Sequence, residues 1–449
     1  MTDATISPAG RPRQGSLLTQ DALTKRRNAA ETRFRWYGIA AIVISMLALL
    51  ALLISIFSVG APAFRQTFIT MPVMLPADKL DKSGTRDLAV MSKVTTVGYA
   101  SVLTDALNEA IAKNNIDITG MTPKQISGML SQEAAAQLRN YVLANPEVVG
   151  TTIDFEALAN GRIDGYFKGR VTMESAALDS NTSPEQLKLA DELRDAGILA
   201  KRFNWGFITS PDASDQRPEA AGLGVAIIGS FYMMLVVLCL SLPIGVAASI
   251  YLEEFAKKNF WTDLIEVNIA NLAAVPSIVF GILGLAVFIN FAGLPQSAPI
   301  VGGLVLTLMT LPRIIIPARA ALKSVPPSIR DAALGVGASK LQSVFHHVLP
   351  LAAPGILTGM IIGLAQALGE TAPLLLIGMV AFVRDYPSAL PSGLFDPASA
   401  LPVQVFSWTT RGDPGFVERA SGAIIVLLLF LVIMNTAAII LRRRFERRW

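Results

Sequence analysis

Asp331-Ala332-Ala333-Leu334-Gly335-Val336-Gly337, followed twelve residues after its last glycine by Leu349-Pro350, is a short polar-edged segment between two long apolar ones. Two alanines and a glycine let one backbone approach another closely, and a glycine can end or bend a helix. Arg330, Asp331 and Lys340 on its flanks keep the segment in water. On these residues alone it reads either as an ordinary amphipathic connecting helix or as a surface on which a second protein docks. The rest of the chain decides between them.

Hydrophobic residues make up 52% of the chain, charged residues 16%, and the mean hydropathy is +0.50. A soluble domain carries about 25% charged residues, so this is a multi-pass membrane protein with a soluble part attached. Cys239 is the single cysteine and lies in an apolar run, which excludes a disulfide framework. The modest positive charge gathers at the two ends, beside apolar spans. It reads as a topology signal and not as a nucleic-acid surface.

A helix needs about 20 apolar residues to cross about 30 Å of hydrocarbon. Six segments qualify: 37–58, 223–251, 267–291, 300–321, 352–380 and 420–441. The first lies too far from the start for an ordinary signal peptide and reads as a retained anchor. Lys25, Arg26, Arg27, Arg33 and Arg35 precede it and place the N-terminus in the cytoplasm. Six crossings return the C-terminus to the same side, where Arg442-Arg443-Arg444 and Arg447-Arg448 stand. The opening segment is then cytoplasmic too, and the loop 292–299, without Lys or Arg, is an outer one. Glu253, Glu254, Lys257 and Lys258 read as a solvated cytoplasmic turn. Residues 1–24, rich in Ser, Thr, Pro, Gly and Gln, read as a disordered part of a cytoplasmic tail, 1–36.

Residues 59–222 form an insert on the outer side, long enough to bury a small core. Thr122-Pro123-Lys124-Gln125 opens a helix running toward Asn145. Ser183-Pro184-Glu185-Gln186 is a capping box with proline at the first helical position. Ile153-Asp154-Phe155 and the stretch 165–171 read as short strands or turns. The insert is therefore a small mixed α/β or mainly α domain. It shows no cluster of metal ligands and no nucleophile constellation, and it reads as a structural or docking element for an outside partner.

Further stretches in the second half agree with one another. The third span carries Asn268-Ile269-Ala270-Asn271-Leu272-Ala273-Ala274-Val275-Pro276-Ser277-Ile278-Val279-Phe280-Gly281. Val325-Pro326-Pro327-Ser328-Ile329-Arg330 leads into the opening segment, and the fifth span holds Gly369-Glu370-Thr371-Ala372-Pro373-Leu374-Leu375. Phe203-Asn204-Trp205-Gly206-Phe207 stands before the second span. With the acidic-Ala-Ala spacing, these resemble the PstA family of phosphate ABC importer permeases, which are type I binding-protein-dependent transport inner-membrane components. The resemblance covers about residues 203–441. Asp331 stands where glutamate is usual, His347 where an aliphatic residue is common, and Gln366 where many members carry arginine.

The resemblance implies an all-α polytopic membrane protein with six transmembrane helices of type I ABC importer permease architecture. The insert lies between its first two helices, 223–441 is the permease core, 322–350 its cytoplasmic coupling loop, and 442–449 a basic tail. Asp331, Ala332, Ala333, Gly337, Leu349 and Pro350 would couple to a separate ATPase. The implied partners are the permease PstC, two copies of the ATPase subunit PstB, the periplasmic phosphate-binding protein PstS, the lipid bilayer and a phosphate-sensing regulator. No nucleic acid is among them. The chain lacks a G-x-x-x-x-G-K-[ST] loop, and Gly335-Val336-Gly337-Ala338-Ser339-Lys340 matches it only superficially. ATP and magnesium would thus be bound by the partner ATPase, with no cofactor, metal or catalytic residue in this chain. Two alternatives stay open: a permease for another oxyanion or small solute, and a membrane component of a phosphate-sensing complex.

Intramembrane ionisable residues are costly and usually functional. Glu370 lies in an otherwise apolar span, and Gln366 four residues earlier would share its helix face. Arg313 follows Pro312, and a guanidinium grips a phosphate oxyanion with two hydrogen bonds. Arg313, Gln366, Glu370 and Thr371 are therefore the candidates for the substrate path. The alternatives are a plain structural Arg313–Glu370 pair and an Arg313 that snorkels to the cytoplasmic edge.

Overall fold

The computed structural model describes residues 22–81 and 84–445. Most of the tail expected to be disordered, and residues 446–449 of the basic end, lie outside the described residues. The chain divides into two compact units, one ending at Ile56 and one beginning at Phe57. The first unit holds most of helix α1 (Ala22–Gly60). Helix begins at Ala22 and not at 37, because residues 22–36 contain neither proline nor glycine and several good helix formers.

The second unit opens with the insert. Its sheet has the order β2-β1-β3, with β1 (Arg65–Met74) antiparallel to both β2 (Thr152–Leu158) and β3 (Leu199–Phe203). Pro72 stands in the central strand, but beyond Arg65–Ile69, the part paired with β3. On that edge its missing N–H costs no ladder bond. Helix α2 (Thr96–Lys113) buries Tyr99, Val102, Leu103, Ala106, Leu107, Ala110 and Ile111, a three-four spacing that puts one apolar stripe on the sheet's core. Each such large side chain contributes roughly 1.5–3 kcal/mol. The insert is thus a mixed α/β domain.

One local expectation fails in the insert and another holds only in part. The helix from Thr122 stops as α3 (Pro123–Ser127), and a new one, α4 (Gln132–Ala144), begins at the Ser131 cap. Leu130 bridges to Ala159 between them, which interrupts the helix. The stretch 165–171, expected as strand or turn, is helix to Phe167 and turn beyond it. It begins within α5 (Gly161–Phe167), started by the Asn160 side chain, and Gly169 turns the chain with φ +77°. The capping box at Ser183 does start α6 (Pro184–Asp195), and Gln186 reciprocates.

Among the described residues five helices are long and apolar enough to cross a membrane, or six if one bent pair counts as a span. After α7 (Gly224–Ile250), a π-helical turn runs from Tyr251 to Phe255. The bent pair is α8 (Phe260–Ala274) and α9 (Ser277–Leu283), the latter prolonged as π-helix to Phe291. The pair meets at 104°. Pro276 has no N–H to give and confines Val275 to extended backbone, so the span expected over 267–291 is broken at the residues whose types permit a bend.

Helix α10 (Pro299–Lys323) packs along α7, and Gly303 explains how closely. A Cβ at that position would stand 2.5 Å from the Cβ of Val236. Without a hydrophobic drive between helices in lipid, such small-residue contacts carry the association. Then follow α11 (Pro327–Gly335), α12 (Lys340–Ser343), α13 (Leu349–Gly369), α14 (Ala372–Leu376) and α15 (Pro414–Phe445). The fifth span therefore does not run to 380. It ends at Gly369, with Glu370 in extended backbone behind it. Met233, Val237, Val305, Met309, Leu364 and Leu368 form the core that α7, α10 and α13 share.

Candidate functional site

Residues 331–337 fold as the end of helix α11 with a built-in stop. The Ala338 N–H bonds to the Ala333 carbonyl at 3.1 Å and the Gly337 N–H to the Leu334 carbonyl at 3.0 Å. Gly337 has φ +88°. This paired bonding is the Schellman arrangement, and it needs a residue that tolerates the left-handed region. The chain restarts at once. The Ser339 hydroxyl accepts the Gln342 N–H and the Gln342 side chain accepts the Ser339 N–H, opening α12. In the helix that precedes these two signals Ala333 is buried while Asp331 and Ala332 are exposed, as is Gly337 at the stop. Leu334, Val336, Leu341 and Phe345 are exposed apolar side chains around the turn, Val336 at 85%. Leu349 and Pro350 begin α13 and are half-buried.

Arg330 does not simply keep this segment in water. Its Nε and Nη2 donate to the Glu254 carboxylate, the shortest bond being 2.6 Å. Nη1 donates to the Val325 carbonyl at 2.7 Å and Nη2 to that of Leu322 at 2.9 Å. Glu254 is buried, which corrects the solvated turn expected at 253–258. A buried carboxylate needs a partner, and here it takes the Nε–Nη2 edge of a guanidinium. Arg319 donates to Glu266 at 2.7 Å and Glu253 at 3.4 Å, and Lys340 lies 5.3 Å from the centre of the Phe255 ring.

The path candidates come together only in part. Arg313, within α10, and Glu370, just past α13, approach to 3.9 Å between Nη1 and Oε1. Both side chains are about one-fifth exposed, 23% and 19%. The Arg313 Nη1 is buried and makes no hydrogen bond, an unusual state for a guanidinium nitrogen. Gln366 is exposed on α13 and does not share a helix face with Glu370, because the helix ends between them. Thr371 is half-buried and precedes α14, where its carbonyl receives the N–H groups of Leu374 and Leu375.

A third cluster was not foreseen in the sequence. Lys168 of the insert bonds Asp164 at 2.8 Å and Glu418 of α15 at 2.7 Å. Arg170 reaches the same two carboxylates at 3.3 and 3.2 Å. The next residue of α15, Arg419, is buried and donates to the Gln66 side chain and the Glu219 carbonyl, at 2.5 and 3.1 Å. Asp164 is further held by the N–H and hydroxyl of Thr67. A polar cavity of about 680 Å³ adjoins the cluster, with Lys124, Asn160, Arg162, Asp179, Glu219 and Asp413 on its wall. Burial pushes the Glu219 carboxyl above its ordinary range, and the Ser131 hydroxyl, donating at 2.6 Å, partly offsets this. The signal available in the sequence was Glu418-Arg419, two charges at the mouth of an apolar run.

The comparisons with known proteins fall on the same two parts. Residues 241–449 match the family described as binding-protein-dependent transport system inner membrane component. Residues 21–177 match a domain of unknown function, DUF3333. The phosphate transport system permease protein PstA of Mycobacterium leprae is 30% identical over 50% of this chain and 71% of its own length. The chain belongs to the PstA-type ABC transporter permeases. A probable ABC transporter permease protein, YqgI of Bacillus subtilis, is 32% identical over 47% of this permease and 73% of its own length. An inward-facing MetNI methionine ABC transporter structure aligns with 50% of the permease and 97% of its own chain, at 17% identity and a TM-score of 0.39. The unknown-function domain thus spans α1 and most of the insert, ahead of the part that matches the inner-membrane permease family.

Proposed function

We propose that this chain is the transmembrane subunit of an ATP-driven phosphate importer. It forms the translocation path with a second permease of the PstC kind. It couples through residues 331–350 to a pair of ATPase subunits of the PstB kind, and a PstS-type binding protein delivers phosphate from outside. The observation that carries the coupling role is the turn itself. A helix stopped at Gly337 and restarted at Ser339 holds Leu334, Val336, Leu341 and Phe345 out, an apolar knob suited to a cleft on another protein. The phosphate assignment is supported by relatives named as phosphate transport permeases and by the guanidinium of Arg313, with its unsatisfied nitrogen, beside the helix break at Glu370. The basic clusters before α1 and at the end of α15 support a cytoplasmic position for both ends and for the knob, and an outer position for the insert.

In this mechanism ATP binding draws the knobs of the two permeases together and turns the cavity outward. Phosphate enters from the binding protein, and hydrolysis returns the cavity inward. The interface is bistable and never an open pore. The test is radiolabelled phosphate uptake in phosphate-starved cells lacking this chain, with and without its restoration. Restored uptake that needs ATP, and that arsenate but not sulfate or molybdate competes, supports the reading. Restored uptake of another oxyanion in its place overturns the phosphate assignment.

A further inference from the structure

We propose that Glu253-Glu254-Phe255, at the end of the second apolar helix, is a positioning site that makes the coupling knob move with α7. The inference rests on the coupling role proposed above and adds residues outside 331–350 to it. Each member of the triplet takes a cation from a different later element. Glu253 takes Arg319 of α10, Glu254 takes Arg330 of α11, and Phe255 takes Lys340 of α12 through its ring face. The last two cations flank the knob on both sides of Gly337. Arg330 also closes carbonyls at the C-terminal end of α10, so one guanidinium fixes the end of α7, the end of α10 and the start of α11. The triplet lies in a π-helical turn, a geometry that recurs at functional sites. Ile250, Val325, Val344 and Val348 pack beside it as a small core of their own, with Phe255 and Ile329 against them.

A displacement of the knob therefore reaches the membrane through α7 as well as along the covalent paths into α10 and α13. Helix α7 packs along α10, which carries Arg313, so the triplet links the knob to the wall of the path.

The experiment uses the assembled transporter in lipid nanodiscs, with phosphate uptake by the same variants in cells. Glu254→Gln should keep the ATPase bound and hydrolysing ATP, yet lose at least about tenfold of the stimulation by the loaded binding protein and of uptake, as removal of a state-specific contact does. Exchanging the charges, Glu254→Arg with Arg330→Glu, should recover part of both. Normal stimulation and uptake in Glu254→Gln overturn the proposal. If Gly337→Asp in the same assay abolishes uptake, the coupling role survives that result. If Gly337→Asp is also normal, the coupling role falls and takes this inference with it. Should Glu254→Gln fail to insert, Lys340→Gln carries the test, since it removes only the contact to Phe255. Unchanged stimulation then overturns the proposal, and a several-fold loss with the ATPase still bound supports it.

Discussion

Around Glu418 and around Glu254 the same residue types meet in two different settings. Glu418, Lys168 and Asp164 have side chains 6%, 5% and 2% exposed, and each charge in that group has at least two partners. Glu254 is as enclosed at 6%, but Arg330 is 22% exposed, Arg319 24% and Glu266 42%. The first group is closed except at Arg170, 25% exposed toward the polar cavity, and removing one of its enclosed carboxylates strands Lys168 without water. The second is open along one edge, where water can replace a partner at small cost. The permease thus ties its insert to α15 through more enclosed charges than those that tie the 331–350 turn to the end of α7.

The sharpest way to break this contrast is Glu418→Ala. It leaves the enclosed Lys168, and beside it the quarter-exposed Arg170, with too little negative charge and should cost about 3–5 kcal/mol, read as a lower unfolding midpoint in detergent and faster proteolysis of the insert. An equal loss of stability in Glu254→Ala would erase the distinction. Arg313–Glu370 is a third kind of pair, long and incompletely bonded. Arg313→Ala should lower phosphate uptake several-fold with the ATPase still bound, and normal uptake would remove Arg313 from the path. Glu266→Gln touches the open edge. It should cost less than about 1 kcal/mol, and raised salt should shrink that cost further.

The smallest effect belongs to Glu219. Its carboxyl is held above the ordinary range by burial, so the folded protein binds that proton more tightly than the unfolded chain does. Below the unfolded value the group is neutral in both states and its contribution is fully present. As pH rises through the folded value that contribution is lost. Glu219→Gln, which can still accept from Ser131, should raise the unfolding midpoint by a few degrees at neutral pH, with the difference vanishing in acid. A variant less stable at neutral pH would show that Arg419 holds the charged form.

What could be read in the sequence was local. The stop at Gly337, the cap at Ser183 and the break at Pro276 are each set within a few residues, and their residue types announce them. The clusters were not legible for the opposite reason. Glu254 and Arg330 are 76 residues apart, and Lys168 and Glu418 are 250 apart. Nothing near Glu254 marks it as buried, since Glu253, Lys257 and Lys258 have the composition of a solvated turn. Gln366 and Glu370 were misread by the same limit. A spacing of four implies a shared face only while the helix continues, and the backbone leaves it at Glu370.

The right-angled joint at Val275–Pro276 sets a condition on the lipid. At about 1.5 Å per residue, the 15-residue α8 is roughly 22 Å long, shorter than about 30 Å of hydrocarbon. Its first residues, Phe260 and Trp261, are exposed aromatics of the kind that settle at headgroup level. On this flank the protein presents less apolar height than an ordinary bilayer offers. A thinner bilayer matches the height of α8, so transport should be faster in lipids of shorter acyl chain than in longer ones.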